Sequence, residues 1–180
     1  KFVNIPTTLL AQVDASIGGK TAVNSNFGKN LIGTFYQPDL IISDTKILNY
    51  LSQKNMICGY AEILKHSIIK DRNFFYWLFK NGKEILNNRK NSFIQYAIIK
   101  SCKIKSKIVE LDENEKNLRK MLNFGHTFAH AFESLNNYSK NLNHGEAVLL
   151  GINIASQFAY QKKIMAVKEL YLIQTHYAER

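Results

Sequence analysis

Cysteine is scarce. Cys58 and Cys102 are the only two in 180 residues, so a disulfide-stapled scaffold is excluded, and the pair reads as reduced thiols of a cytoplasmic protein. Proline is equally rare: 2 Pro beside 9 Gly exclude collagen-like and linker-rich sequence. No apolar run approaches the ~20 residues that span a bilayer, so no membrane partner is expected. No arginine-rich block or basic stripe with interleaved aromatics stands out either, and nucleic acid is not an expected partner. The net charge is nonetheless +10, carried by scattered lysines such as Lys46, Lys54, Lys65, Lys70, Lys80, Lys83 and Lys90. It reads first as drift in a Lys-, Asn- and Ile-rich chain, second as a bias towards anionic ligands, and only third as a nucleic-acid footprint. What is present is ordinary for a globular chain: 46% hydrophobic and 21% charged residues.

Two textures divide the chain. Phe2–Ile5 reads as a buried strand stopped by Pro6, Leu9–Ser16 as a short helix broken by Gly18-Gly19, and Leu40–Ser43 as another strand. Thr21–Asn24 and Asn30–Tyr36 read as a hairpin around Ser25–Gly28. From Leu51 onward the pattern is helical, with Ile57, Ala61, Leu64 and Ile68 on one buried face. Phe74–Phe79 and Ile85-Leu86 form apolar stretches parted by Asn81-Gly82. Ser92–Glu110, Glu113–Leu135 and Glu146–Lys162 read as helices, with Asn136–Asn143 a polar loop. The expected class is α/β plus all-α: residues 1–50 an α/β piece, residues 51–180 a helical domain.

Four stretches carry residues suited to chemistry. His126 and His130 stand four apart, on one face of a helix, a spacing that suits a metal pair. A zinc peptidase would need Glu directly after the first His, and Thr127 is there instead. Two satisfied helical histidines are the simpler reading of such a pair. His144 and Glu146 sit where a helix begins, and Glu146 suits the first turn by its charge. Glu62 lies in a segment that otherwise reads as buried, and a buried carboxylate requires a cation or a metal; Lys65, one turn on, is the simpler partner. Gly19-Lys20-Thr21 has the ending of a phosphate-binding loop, but the upstream glycine is missing and a strand follows, so nucleotide hydrolysis is rejected.

Taken in order, these stretches resemble one enzyme family. IPTTLLAQVDASIGGKTAVNSNFGKNLIGTFYQP, GYAEILKHSIIKD, KSKIVELDENEKNLRKMLNFGHTFAHAFE and LNHGEAV together resemble the 3-dehydroquinate synthases of the sugar-phosphate cyclase group, from Phe2 to about Gln157. The resemblance implies a lyase of the shikimate pathway. It implies the end of a Rossmann-like NAD-binding domain followed by a helical metal-binding domain, with NAD and zinc, or cobalt, as cofactors. The metal ligands it implies are Glu62, His126 and His144, which makes His130 a substrate contact rather than a ligand. Lys20, Asn30, Lys65, Lys105, Arg119, Asn123 and His130 are implied to contact a phosphorylated sugar acid, all but Asn30 with catalytic roles. Thr7, Thr8, Asp14, Lys20, Lys29, Ile47 and Tyr50 are implied near NAD.

Two departures stand out. Ala129 occupies a position where the family usually has Gly. The family's chains are about twice this length, a two-domain size, so the expectation is an internal piece. The glycine-rich pyrophosphate loop, a late substrate lysine and a neighbouring subunit's arginine would then lie outside it. Such a piece, alone, is expected to expose strand edges and fold poorly, while the complete chain is expected to be a homodimer.

Overall fold

The structure is a computed structural model that describes residues 1–25, 28–136 and 142–178. Its N-terminal part holds two small sheets. Strand β1 (Val3–Asn4) pairs in parallel with Leu40–Ile41, Val3 opposite Leu40. Strand β2 (Val23–Ser25) pairs antiparallel with β3 (Gly28–Ile32), and an isolated bridge joins Lys20 to Phe35. Leu40–Ile41 is therefore β4. The expected strands and hairpin are present, with β2 and β3 reaching into the expected turn at Ser25 and Gly28, but Phe2–Ile5 is not buried: Phe2, Val3 and Ile5 are exposed, since only Leu40–Ile41 pairs with this strand among the described residues. The tip residues 26 and 27 of the expected turn lie outside the described residues.

The expected short helix is wound as a π-helical turn over Ala11–Ala15, closed by Ser16 N–H donating to Ala11 O at 3.0 Å. Gly18 and Gly19 end it at φ 100° and 66°, which L side chains rarely adopt. Buried Gln12 ties this turn down, donating to Pro6 O (3.3 Å) and to Asp44 O (2.9 Å). Asp44 in turn caps a 3-10 helix, Thr45–Tyr50.

Six α-helices follow among the described residues: α1 (Gln53–Lys70), α2 (Arg72–Leu86), α3 (Asn91–Leu111), α4 (His126–Leu135), α5 (His144–Gln161) and α6 (Val167–Ala178). Their starts are chemically marked. Ser52 accepts from Asn55 N–H, Asp71 from Phe74 N–H, and Asn143 forms a capping box with Glu146, each contributing about 1 kcal/mol. Two expectations are corrected. Gly82 does not split its segment: it is buried inside the continuous helix α2. Glu113–Leu135 is not one helix. Asp112 accepts from the N–H groups of Lys116, Asn117 and Arg119, a 3-10 helix runs over Leu118–Asn123, and Gly125 at φ 81° turns the chain before α4. Asn136–Asn143 is described only at its two ends.

Helix α1 lies between two apolar clusters. On one side Met56, Tyr60 and Ile63 meet Leu9, Val13 and Leu48 with Leu78 of α2 and Ile94 of α3; on the other, Ala61 and Leu64 meet Ala129 of α4 and Val148 and Ile152 of α5. Close backbone contact sets α5 in place. A methyl at Gly145 would collide with the Cys58 backbone, and one at Gly151 with Gly125 O. Gly151 also leaves room for α4, so Ala129 fits there fully buried. The described residues include no helix long and apolar enough to cross a membrane.

Candidate metal and anion site

Because α1 is covered on both sides, the polar residues along its middle have no water. Glu62, Lys65 and His66 are 0%, 2% and 0% exposed. Burying charge this way requires partners within the fold. Lys65 touches Glu62 Oε2 one helical turn away. The other oxygen, Oε1, faces two imidazoles: His126 Nε2 at 3.6 Å and His144 Nε2 at 3.8 Å. These two histidines open α4 and α5, so helix starts deliver both rings to the middle of α1. Neither Glu62 oxygen has a well-aligned hydrogen bond.

The donor set fits a divalent cation. One donor atom from each of Glu62, His126 and His144 lies within 4.8 Å of the others. Two imidazole nitrogens and one carboxylate oxygen make a catalytic zinc set that leaves coordination positions open. Burial, with the Lys65 cation adding to it, lowers the His126 pKa to about 4, so its ring is neutral near pH 7 and free to ligate. Each ring also turns its Nδ1 towards an acceptor: His144 to Glu133 Oε1 (3.1 Å), His126 to Phe124 O (3.5 Å). His130 stands edge-on to His126, ring centroids 5.7 Å apart, and is exposed. The two histidines on α4 are thus neighbours, but His144 rather than His130 completes the triad with Glu62.

A second group, Asp14, Glu62 and His66, also brings three donor atoms within 4.8 Å. It is poorly suited to a cation. Lys105 Nζ sits 2.7 Å from Asp14 Oδ1 and also donates to Asp14 O. Burial, the largest single influence, would raise the Asp14 carboxyl, but Lys105, His66 and Lys65 together outweigh it and hold it well below the usual carboxylate range. His66 is lowered by burial, and its Nδ1 lies 2.6 Å from Ser101 Oγ. An ammonium group already neutralises the Asp14 carboxylate that a metal would need.

The remaining expected residues fall into three places. Lys20 pairs with Glu115, and Asn123 Nδ2 donates to Glu115 Oε1 at 3.1 Å. Both line an open cleft of about 910 Å³ with Lys120 and Thr127. Arg119 is buried and donates through Nη2 to Gly18 O at 2.8 Å, so it holds the glycine turn. Near the strands, Thr8 Oγ1 accepts from Ala11 N–H, Thr7 is exposed, Ile47 packs against the first cluster and Tyr50 is 89% exposed. The side chains of Lys29 and Asn30 lie outside the described residues. Glu133 is the residue that sequence reasoning missed. The available signal is its place seven residues after His126, two turns on and on the same face. Both thiols are reduced and quiet: burial raises Cys58, and pushes Cys102 up to about 11.

Known proteins match this arrangement. Residues 1–58 match the family model of the 3-dehydroquinate synthase N-terminal region, and residues 59–179 that of its C-terminal region. The 3-dehydroquinate synthase of Pelagibacter ubique is 61% identical over 176 residues, 98% of this chain and 48% of that protein. That of Campylobacter fetus is 49% identical over 174 residues, 96% of this chain and 48% of the relative. Among solved structures, a 2-epi-5-epi-valiolone synthase from Streptomyces hygroscopicus with NAD+ and Zn2+ bound has a TM-score of 0.89 at 30% identity, over 97% of this chain and 48% of that one. A 2-deoxy-scyllo-inosose synthase in complex with carbaglucose-6-phosphate, NAD+ and Co2+ has a TM-score of 0.82 at 25% identity, over 97% and 47%. The chain spans about half the length of the curated relatives it matches. With both family models aligned end to end across the site, the chain belongs to the 3-dehydroquinate synthase family.

Proposed function

We propose that the whole protein is a 3-dehydroquinate synthase, converting a seven-carbon keto-acid phosphate (DAHP) to 3-dehydroquinate and phosphate. The convergence of Glu62, His126 and His144 beside Lys65 carries this reading. In such a reaction a secondary alcohol is oxidised to a ketone, the adjacent carbon so acidified loses a proton as phosphate leaves from the carbon beyond it, the ketone is reduced again, and the ring opens and recloses by an internal aldol step. When bound, NAD supplies reversible hydride transfer and zinc or cobalt a Lewis acid for the substrate oxygens.

This chain's own residues hold charge and position. Glu62, His126 and His144 would hold the metal. Buried Lys65 and Lys105 provide fixed positive charge beside it, where desolvation makes each cation more effective towards an anionic substrate. Lys20, Asn123 and His130 present polar groups at open surface, suited to the phosphate and carboxylate of the substrate, with Asn30 and Arg119 assigned to the same task. Asp14, held ionised by Lys105, is placed to accept a hydrogen bond from a hydroxyl or an amide of substrate or cofactor. Residues 1–50 are assigned to the end of a Rossmann-like NAD-binding domain, with Thr7, Thr8, Lys29, Ile47 and Tyr50 towards the cofactor, and residues 51–180 to the metal- and substrate-binding domain. A homodimer and a cytoplasmic setting belong to the same reading.

The test is phosphate release from DAHP by the whole protein, with and without NAD and zinc, beside Glu62→Ala. The reading predicts release that needs both cofactors, leaves NAD unconsumed and is lost in the variant. Metal binding without release from DAHP would contradict it and favour another sugar-phosphate cyclase.

A further inference from the structure

We propose that Glu133 is a positioning residue of the metal centre, accepting the Nδ1 proton of His144 and so fixing the tautomer whose Nε2 faces the cation. The inference rests on the metal-centre reading above. His144 lies between two carboxylates: Glu133 Oε1 is 3.1 Å from Nδ1, and Glu62 Oε1 is 3.8 Å from Nε2. An ionised carboxylate only accepts hydrogen bonds, so the imidazole proton belongs on the Glu133 side and the lone pair points towards Glu62.

The two ligating rings need this help unequally. The His126 side chain is 14% exposed and His144 34% exposed. Packing fixes the first ring, whose only Nδ1 contact among the described residues is a carbonyl at 3.5 Å. The second opens α5 with a third of its surface free, and packing alone leaves its angle loose. Glu133 is itself only 8% exposed and sits on α4, two turns beyond His126. One helix thus supplies a ligand and, from the same face, the brace for the ligand on the next helix.

A brace that merely joined α4 to α5 would leave metal affinity alone, which separates the two roles. The experiment is cobalt(II) titration of the whole protein, read by visible absorption against a competing chelator, for wild type, Glu133→Gln and Glu133→Asp. Glu133→Gln is expected to weaken binding by about 10–100-fold and shift the absorption band, with Glu133→Asp recovering part of the loss. In a His144→Ala background the same substitution is expected to cost less than about twofold, because the group it acts through is gone. Unchanged affinity and spectrum in Glu133→Gln overturns the proposal, and so does an equal loss without His144. Should the variants fail to fold, cobalt-loaded wild type still decides by NMR. An exchangeable, hyperfine-shifted Nδ1–H resonance from His144 is expected, and its absence overturns the proposal. Wild type that binds no cobalt overturns the metal-centre reading instead.

Discussion

Asp14 and Glu62 offer oxygens within 4.8 Å of each other, yet their surroundings differ in kind. Asp14 is matched: Lys105 approaches one carboxylate oxygen at 2.7 Å, and His66 stands 3.7 Å away. Glu62 is only half matched. Lys65 takes one oxygen, and the other looks at two imidazole nitrogens with no proton aligned between them. A saturated carboxylate organises its neighbours. A carboxylate with an unsatisfied oxygen facing two imidazole nitrogens is suited to a cation. Residue type does not separate the two roles here; the partners delivered by α3, α4 and α5 do.

The comparison breaks most decisively at Glu62. Glu62→Ala is expected to weaken zinc binding by well over about 100-fold, beyond the range of an outer partner, and to abolish turnover; isothermal titration and the phosphate assay measure the two. Lys105→Ala should cost stability as well as the charge presented to substrate. It strands Asp14 with a charge and no ammonium, and is expected to cost about 3 kcal/mol in a denaturant melt, the low end for a broken buried pair because Asp14 is 28% exposed. An Asp14→Asn, Lys105→Met double variant is expected to recover part of that loss.

Acid sharpens the contrast from the other side. His66 and His126 are both held below their ordinary value of 6.5, the second at about 4. The unfolded chain therefore binds more protons below pH 6.5, and the metal-free fold loses stability as pH falls from about 7 to 4. His126 alone accounts for up to about 3 kcal/mol of that loss. Urea melts across this range check the sign, and added zinc is expected to shift the loss to lower pH by competing with protons for His126. The smallest effect belongs to the scaffold. Gly151→Ala pushes a methyl into Gly125 O and is expected to cost about 1–3 kcal/mol while moving α5, and with it His144, away from Glu62.

Much of this was legible in the sequence, but not from any one stretch. The change from α/β to helical texture near residue 50 and the strand after Lys20 stand in the structure, but the single buried face expected for α1 does not: Ile57 packs against one cluster and Ala61, Leu64 and Ile68 against the other, because the helix is covered on both sides. The local spacing at His126 and His130 points to a ligand pair, because helical periodicity reports neighbours on one helix. It says nothing of His144, which reaches the site only because the Asn143–Glu146 capping box starts α5 there. The family resemblance is what implies His144 as the third candidate ligand. The break before α4 was hidden for a different reason: it depends on the positive φ of Gly125 and on Asp112 gathering three backbone N–H groups, features set by local geometry rather than by apolar pattern. Gly82 misled in the opposite direction, since burial inside α2 outweighs its weak helix propensity.

The most direct test of the metal centre is zinc content after equilibrium dialysis of the whole protein, compared across single alanine variants of Glu62, His126, His130 and His144. Wild type and His130→Ala are predicted to retain zinc, and the other three to lose it. Zinc lost from His130→Ala but retained in His144→Ala would contradict the assignment and return the site to the paired histidines of α4.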